Sequence, residues 1–447
     1  MYAIAESIFH DFEMKQYDTI LIVGSGGREH SIGWKLRQDT TKKIFLAPGN
    51  GGTENNVEID SSDLEKLCEF AKQNNSFTIV GPEKPLSLGI VDLFEKNQLP
   101  ILGPNKSASR LESSKVFAKL FMREMGIQTA CFSIFSDASS AIEHVKSYSK
   151  NVVVKVDGLA AGKGVFVCDS TKSAIEAIEK IFNDSEFTNS RSKIIIEDRI
   201  YGDEASFIAL CDGNSVIPMA TSQDHKNIFD GDKGPNTGGM GSYSPTPLIT
   251  EKISDRIVEK IMNPTMMGLN DRGIKFKGFL YAGIMIERGS NEPYVLEFNV
   301  RMGDPECQSI LSRMDSSLLK YFEAAIDGRL GSMPPIRWKN KHSVCIVMAS
   351  RGYPGRYQTG KIIHGLDSQF DNDTHVFHAG TKKNSSGEIL TNGGRVLSVT
   401  SLADTLEAAK EKSYSVASEI HWGDNEEYFR TDIASKGIKY LNTTFSD

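Results

Sequence analysis

Val153-Val154-Lys155-Val156-Asp157-Gly158-Leu159-Ala160-Ala161-Gly162-Lys163-Gly164-Val165 is the stretch on which the fold of this chain turns. Two apolar runs enclose a loop of small residues with a lysine near each end. A Walker A loop needs G-x-x-x-x-G-K-[ST] between a strand and a helix. Here the spacing between the glycines is one residue short, Gly164 stands where Ser or Thr is required, and the loop joins two strands. The stretch reads instead as a hairpin whose glycine-rich loop folds over phosphates as a flap. Strand alternation turns Lys155 inward from the flap sheet. A mobile hairpin with surface lysines is the plainer alternative.

Upstream, Thr19-Ile20-Leu21-Ile22-Val23 is a continuous apolar run ending at Gly24. Such a run suits a strand buried on both faces of a parallel sheet. The strand-then-glycine pattern returns at Phe77–Gly81 and Pro100–Gly103, with helical stretches between. This predicts a doubly wound, parallel-sheet α/β domain over residues 18–112, preceded by an extension over residues 1–17. Near residue 113 the pattern changes. Ser113-Ser114 caps a helix with apolar positions Val116, Phe117, Leu120, Phe121 and Met125. Hairpins are expected to pair Val152–Val156 with Gly164–Asp169, Lys193–Asp198 with Glu204–Cys211, and Gly278–Glu287 with Pro293–Asn299. They predict an α+β unit over 113–333, with its flap at 130–200. Pro334-Pro335 marks a linker to a small α/β domain over 334–447.

Composition narrows the function. A chain of 447 residues predicts about three domains. Lys and Arg total 51 against 58 Asp and Glu, a net charge of -7, which argues against broad nucleic-acid coating. The six cysteines are scattered without a CxxC pair, so zinc ribbons and thioredoxin-like motifs are excluded. The acidic opening lacks a basic n-region, and no apolar run approaches membrane-helix length. A cytoplasmic protein with no nucleic-acid or membrane partner is expected.

Four further segments carry chemistry. Gly24-Ser25-Gly26-Gly27-Arg28-Glu29-His30 directly follows the first strand. Glycines admit a close ligand, and a helix N-terminus offers free N–H groups to a phosphate. The dinucleotide fingerprint fails, because its third glycine would fall at Glu29 and no acid follows the second strand at Ala47-Pro48-Gly49. A phosphate site of another kind and a plain tight turn both remain. Glu197 and Glu204 lie seven residues apart across a glycine-containing connection, a spacing that can bracket a nucleoside. In Leu296-Glu297-Phe298-Asn299-Val300-Arg301, period two puts Glu297, Asn299 and Arg301 on one face and Leu296 and Phe298 on the other. A carboxylate beside an amide oxygen suits Mg²⁺, and Arg301 adds a cation for a developing phosphoryl charge. Asp224-His225-Lys226 precedes a loop, Gly231 to Gly241, too polar and glycine-rich for a core. His225 reads as a structural hydrogen-bonder or a general base.

Together these segments resemble the ATP-grasp ligases, and within them the phosphoribosylamine–glycine ligase family. The resemblance runs from about residue 18 to 433 and rests on GSGGREH at 24–30, APGNGGT at 47–53, VGPEKPLSLGIVD at 80–92, VVKVDGLAAGKGV at 153–165, SQDHK at 222–226, GPNTGGMGSYSP at 234–245 and LEFNVRMGDPE at 296–306. It implies an N-terminal domain, a central ATP-grasp unit and a C-terminal domain. It implies ligation of glycine to 5-phosphoribosylamine through a glycyl phosphate, with ATP cleaved to ADP and phosphate, in purine synthesis. Another ATP-grasp carboxylate–amine ligase and an NAD-binding protein built on the first domain are the alternatives.

By that resemblance, Lys115, Lys155, Gly158, Gly162, Lys163 and Gly164 bind ATP phosphates, with Glu197 by the adenine and Glu204 on the ribose. Glu297 and Asn299 hold Mg²⁺ or Mn²⁺. Arg301, Lys226 and Asp224 are the expected catalytic residues. Gly24, Gly26, Gly27, Arg28, Asn50, Gly51, Asn236, Gly238 and Gly239 face the substrates. Arg199 stands where the family usually has an aromatic. A monomer or weak homo-oligomer is expected.

Overall fold

A computed structural model describes residues 16–159, 164–184, 193–366 and 370–444. The expected phosphate-flap residues Gly162 and Lys163, and most of the extension over 1–17, lie outside them. Strands Lys43–Pro48, Thr19–Gly24, Ser76–Val80 and Ile101–Leu102 form, in that order, a parallel sheet. Ile20, Leu21, Ile22 and Val23 are fully buried, as the unbroken apolar run requires. The helix Gly27–Asp39 starts directly after the first strand, so the glycine-rich turn sits at the carboxyl edge of this sheet.

The flap is an antiparallel sheet in the order Phe132–Phe135, Ile194–Asp198, Val152–Val156, Val165–Cys168. Its alternation is clean. Val152, Val154, Val156, Ile194 and Ile196 pack against Ala141, Val145, Ala174, Ile178 and Ile181 of the two flap helices. Lys155 and Glu197 therefore project from the opposite face, on adjacent strands. The segment 194–198 belongs wholly to this sheet. The expected hairpin between 193–198 and 204–211 does not form, because the chain crosses to a second sheet at Gly202.

That second sheet runs Val216–Pro218, Gly202–Cys211, Gly278–Glu287, Pro293–Asn299, all antiparallel. Its last pairing is irregular. Gly283 lies opposite Glu297 and Ile284 opposite Val295, which leaves Leu296 as the extra residue of a bulge. Val295 and Phe298 both enter the core, and Leu296 does not. The expected shared face of Leu296 and Phe298 is thus corrected by the bulge, and Arg301 lies past the strand end. Glu297 and Asn299 keep a common face beyond it.

A third sheet runs Gln223–Asp224, Gly241–Ser244, His342–Ser350, Arg395–Ala403, Thr374–His378, with Glu427–Tyr428 also pairing on His342–Ser350. It joins strands from both sides of Pro334-Pro335. No helix among the described residues is long and apolar enough to cross a membrane.

Candidate active site

Ser114 caps the helix Lys115–Glu124, accepting from the Phe117 amide at 3.1 Å. Asp157, at the start of the flap loop, accepts from the Val116 amide at 3.1 Å and from the Ser114 hydroxyl at 3.1 Å. The flap is thereby docked on this helix N-terminus, where a carboxylate is favoured. Next to it the Lys115 ammonium donates to the Gly158 carbonyl at 3.0 Å. Gly158 has a φ of +105°, a conformation that glycine alone adopts cheaply.

Behind Lys115 stands a buried triad. Glu197 faces the Lys155 ammonium with one oxygen and the Lys119 ammonium with the other, each at 2.5 Å. Lys155 also donates to the Leu296 carbonyl at 3.0 Å, and Lys119 to the Thr129 hydroxyl at 2.6 Å. Burial would raise the Glu197 carboxyl, but Lys155 and Lys119 outweigh it and hold it low. Burial draws Lys119 down to about 8, against the pull of Glu197. Burial also lowers Lys115. Two cations on one anion leave a surplus positive charge, which is the electrostatic requirement of a phosphate site. Lys119 was missed by sequence reading. Its signal was available: it lies four residues after Lys115, on the same helix face.

Opposite the lysines, Glu204 and Glu297 rise from the two strands that flank Gly278–Glu287 in the second sheet. Gly283 lies between them, and a Cβ there would stand 3.4 Å from Glu297 Cγ and 3.8 Å from Glu204 Oε1. The Lys226 ammonium contacts Glu204 Oε1 and lies 3.7 Å from Glu297 Oε1. Burial would raise the Glu297 carboxyl, but Lys226, Lys115 and Lys155 hold it at about 2. Glu297 is therefore an ionised oxygen donor at any physiological pH, and Asn299 adds an amide oxygen two residues on. Among the described residues no group of three or more His, Cys, Asp or Glu could hold a metal by itself. The pair fits a hard cation that takes most of its oxygen ligands from phosphates and water.

Arg301 is clamped on both sides. It donates to Glu112 at 2.7 Å and to Asn299 Oδ1 at 3.1 Å, and lies 3.4 Å from Glu83. Burial would lower its pKa, but Glu112 and Glu83 raise it instead. Its charge is largely compensated by these carboxylates, and it also holds the Asn299 amide oxygen. Asp224 is pushed well above the usual carboxylate range by burial and by Glu306 beside it. His225 is buried, its Nδ1 3.2 Å from the Gly241 carbonyl, and burial with Arg430 and Lys436 lowers it to about 4.

The glycine-rich turn of the first domain is flanked by two carboxylates. Glu29 accepts from the Gly26 amide at 2.6 Å, and Asp304 Oδ2 lies 3.4 Å from the Arg28 amide. Two carboxylates occupy the helix N-terminus reserved above for a phosphate. Arg28 points inward, donating to Glu29 at 2.5 Å and to the Met302 carbonyl at 3.1 Å. Arg28, expected on a substrate phosphate, here pairs with a buried acid one residue away. Asn50 and Gly51 are likewise engaged. Asn50 donates to the Ser25 and His378 carbonyls, and the Gly51 amide donates to Thr381. Gly238 and Gly239 reach the same junction through Arg395, which donates to the carbonyls of Gly238 at 2.8 Å and Asp304 at 2.6 Å. Asn236 closes the preceding hairpin opposite Asn227. Glu83, Glu112, Asp304, Glu306 and Arg395 carried no assigned role in the sequence reading, and nothing local marks their approach to this junction.

The family models for the phosphoribosylglycinamide synthetase N domain, ATP-grasp (A) domain and C domain match residues 18–112, 113–307 and 343–436. A phosphoribosylamine–glycine ligase of Neisseria meningitidis serogroup B is 47% identical over 424 residues, covering 94% of this chain and 99% of its own. One of Pseudomonas aeruginosa is 44% identical over 425 residues, covering 94% and 98%. The crystal structure of a phosphoribosylamine–glycine ligase from Thermotoga maritima superposes with a TM-score of 0.80 at 32% identity, over 93% of this chain and 99% of that one. A biotin carboxylase domain from Hydrogenobacter thermophilus, at 15% identity and a TM-score of 0.72, shares the fold.

Proposed function

The chain belongs to the phosphoribosylglycinamide synthetase family, its reaction is the ATP-dependent joining of glycine to 5-phosphoribosylamine in purine synthesis, and we propose how its residues divide that work. ATP and a divalent metal ion serve the reaction, as in ATP-grasp ligases generally; we assign Mg²⁺, with Mn²⁺ as a substitute. The hydrogenobacterial neighbour was solved with MgADP, which supports that choice.

A carboxylate is a poor electrophile. Transfer of the γ-phosphoryl group to a glycine carboxylate oxygen gives glycyl phosphate and ADP. The amine of phosphoribosylamine then attacks the carbonyl carbon, the bond to the phosphate oxygen breaks, and the nitrogen releases a proton. This chemistry needs positioning and charge neutralisation more than a nucleophilic side chain. Lys115 and Lys155 hold the phosphates, with Gly158 and Gly164 beside them. Glu197 keeps Lys155 extended and lies on the adenine side. Glu204 accepts from the ribose. Glu297 and Asn299 hold the metal ion, which neutralises phosphoryl charge when bound. Lys226 stands between Glu204 and Glu297, where the transferred phosphoryl group passes. Asp224, with its raised pKa, accepts the amine proton. The junction of Gly24, Gly26, Gly27, Gly238 and Gly239 receives phosphoribosylamine, with Asn50, Gly51 and Asn236 shaping it.

One observation carries this reading. Lys155 spans from Glu197 to the carbonyl of Leu296, the residue before Glu297, and so brings the flap cation to the metal-side carboxylate. Purified protein should release ADP only when glycine and phosphoribosylamine are both present. ADP release driven by a different carboxylate and amine pair would replace this reading with another ATP-grasp ligation.

A further inference from the structure

Lys226 and the Gly238–Gly239 turn are the two ends of one excursion of the chain. Between them runs a small hairpin, Asn227–Phe229 paired with Lys233–Asn236. At its base the Thr237 amide donates to the Lys226 carbonyl at 2.7 Å. Its β-strand hydrogen bonds are few, and two-stranded hairpins are marginal by themselves. What holds this one comes from about 200 residues further along.

Arg430 is fully buried although it is a charged side chain. It makes a two-pronged contact with Asp432, at 2.7 Å to each oxygen. It then donates to the Asn227 carbonyl at 3.0 Å and to Asp232 at 3.1 Å. Neighbouring groups repeat the pattern. Thr431 donates its amide at 2.9 Å and its hydroxyl to Asp230, the Gly231 amide donates to Asp432 at 2.8 Å, Tyr428 donates to the Ile228 carbonyl at 3.0 Å, and Lys436 pairs with Asp232. Apart from the Arg430–Asp432 pair, these contacts join the segment Glu427–Lys436 to the hairpin, and the Arg430 bond to the Asn227 carbonyl falls on the residue directly after Lys226.

We propose that the segment Glu427–Lys436 is a clamp for the substrate-facing hairpin, with Arg430 as the positioning residue that sets Lys226 and the Gly238–Gly239 turn in the cleft. The inference rests on the ligase reading for its kinetic consequence, though not for its structural one. Arg430 touches no reacting atom. It fixes a backbone carbonyl, and Lys226 inherits the position. A planar guanidinium is suited to this because it binds Asp432 with two parallel bonds and still has donors for Asn227 and Asp232.

The test uses the full chain and the variants Arg430→Met, Arg430→Lys and Asp232→Asn. Hydrogen exchange should quicken across residues 227–239 in Arg430→Met, while Gly241–Ser244 and His342–Ser350 keep their protection. The KM for phosphoribosylamine should rise by roughly tenfold, with ATP affinity held within about twofold. Arg430→Lys restores the charge but not the fork, so it should rescue the fold and not the KM. Asp232→Asn keeps the Asp432 contact and should give the same shift in weaker form, which serves if Arg430→Met does not fold. Unchanged exchange in the hairpin overturns the clamp, as does a lowered melting temperature with KM and turnover intact. A wild-type protein that releases no ADP with both substrates overturns the ligase reading, and the exchange pattern then decides the clamp by itself.

Discussion

Two of the glycine-rich turns that follow buried strands differ in the side chains that surround them. The turn after Val156 opens on Lys155, Lys115 and Lys119, with Glu197 alone between two of them. The turn after Val23 is covered by Glu29 and Asp304, with its arginine facing the interior. Glycine content tells only how closely a ligand can approach the backbone. Which ligand is welcome depends on side chains from distant segments: Glu197 and Leu296 in one case, Asp304 in the other. We read the first turn as the nucleotide phosphate site and the second as a place for the hydroxyls or amine of the second substrate.

The largest effect is expected at Glu297. Glu297→Gln should cut turnover by roughly a hundredfold or more, since a fixed charge is lost where phosphoryl charge develops. Metal-free ATP should bind as well as before, because a negative charge has left a cationic site. Stopped-time ADP assays and calorimetry read the two effects. Without nucleotide the same variant should melt lower at pH 7. The folded carboxyl sits at about 2 against 4.5 for the free group, so its stabilisation is present above pH 4.5 and fades as pH falls toward 2. The melting difference should shrink across that window.

Lys155→Ala comes next. A desolvated lysine–phosphate bond is worth about 1.5–3 kcal/mol, so ATP should bind about 10- to 150-fold more weakly. Equal affinity by calorimetry would remove Lys155 from the phosphate site. Gly26→Ala probes the turn after Val23. Its φ of -80° suits any residue, so the effect is steric. A Cβ would lie 2.9 Å from Glu29 Oε2 and 3.0 Å from Asp304 Oδ2. The KM for phosphoribosylamine should rise about tenfold with ATP affinity unchanged. Weakened ATP binding in this variant would mean that the nucleotide uses the first turn after all.

The smallest effect on stability is expected at Asp224. Burial and Glu306 raise its folded pKa above the free value of 3.8. In the unfolded chain the group ionises first, so stability is lost as pH rises from 3.8 toward the folded value. Asp224→Asn removes that loss. Its melting temperature at pH 7 should exceed wild type by about 1–3 °C and should match it near pH 3.

Much of this was legible before the structure. The run Thr19–Gly24, the helix capped by Ser114 and the inward turn of Lys155 all follow from local pattern, because burial on one face or two dictates the period. The bulge at Leu296 was not legible, since a strand's alternation carries no mark of where its partner skips a residue. The false hairpin between 193–198 and 204–211 failed for a related reason: two adjacent strands need not share a sheet. At the site, Lys155, Glu197, Glu204, Glu297, Asn299 and Lys226 were found as motif residues and are brought to one cleft. Arg28 was read by type alone, and its pairing with Glu29 was not legible from the motif. Glu83, Glu112, Asp304 and Arg395 meet only through long-range packing, which no spacing in the sequence encodes.

The most direct test is the position of a bound nucleotide. Crystals grown with Mg²⁺ and a non-hydrolysable ATP analogue should show the triphosphate against Lys115 and Lys155, with the metal ion bridging it to Glu297 and Asn299. A triphosphate lying on the Gly24–Gly27 turn, with Glu29 displaced, would contradict the account.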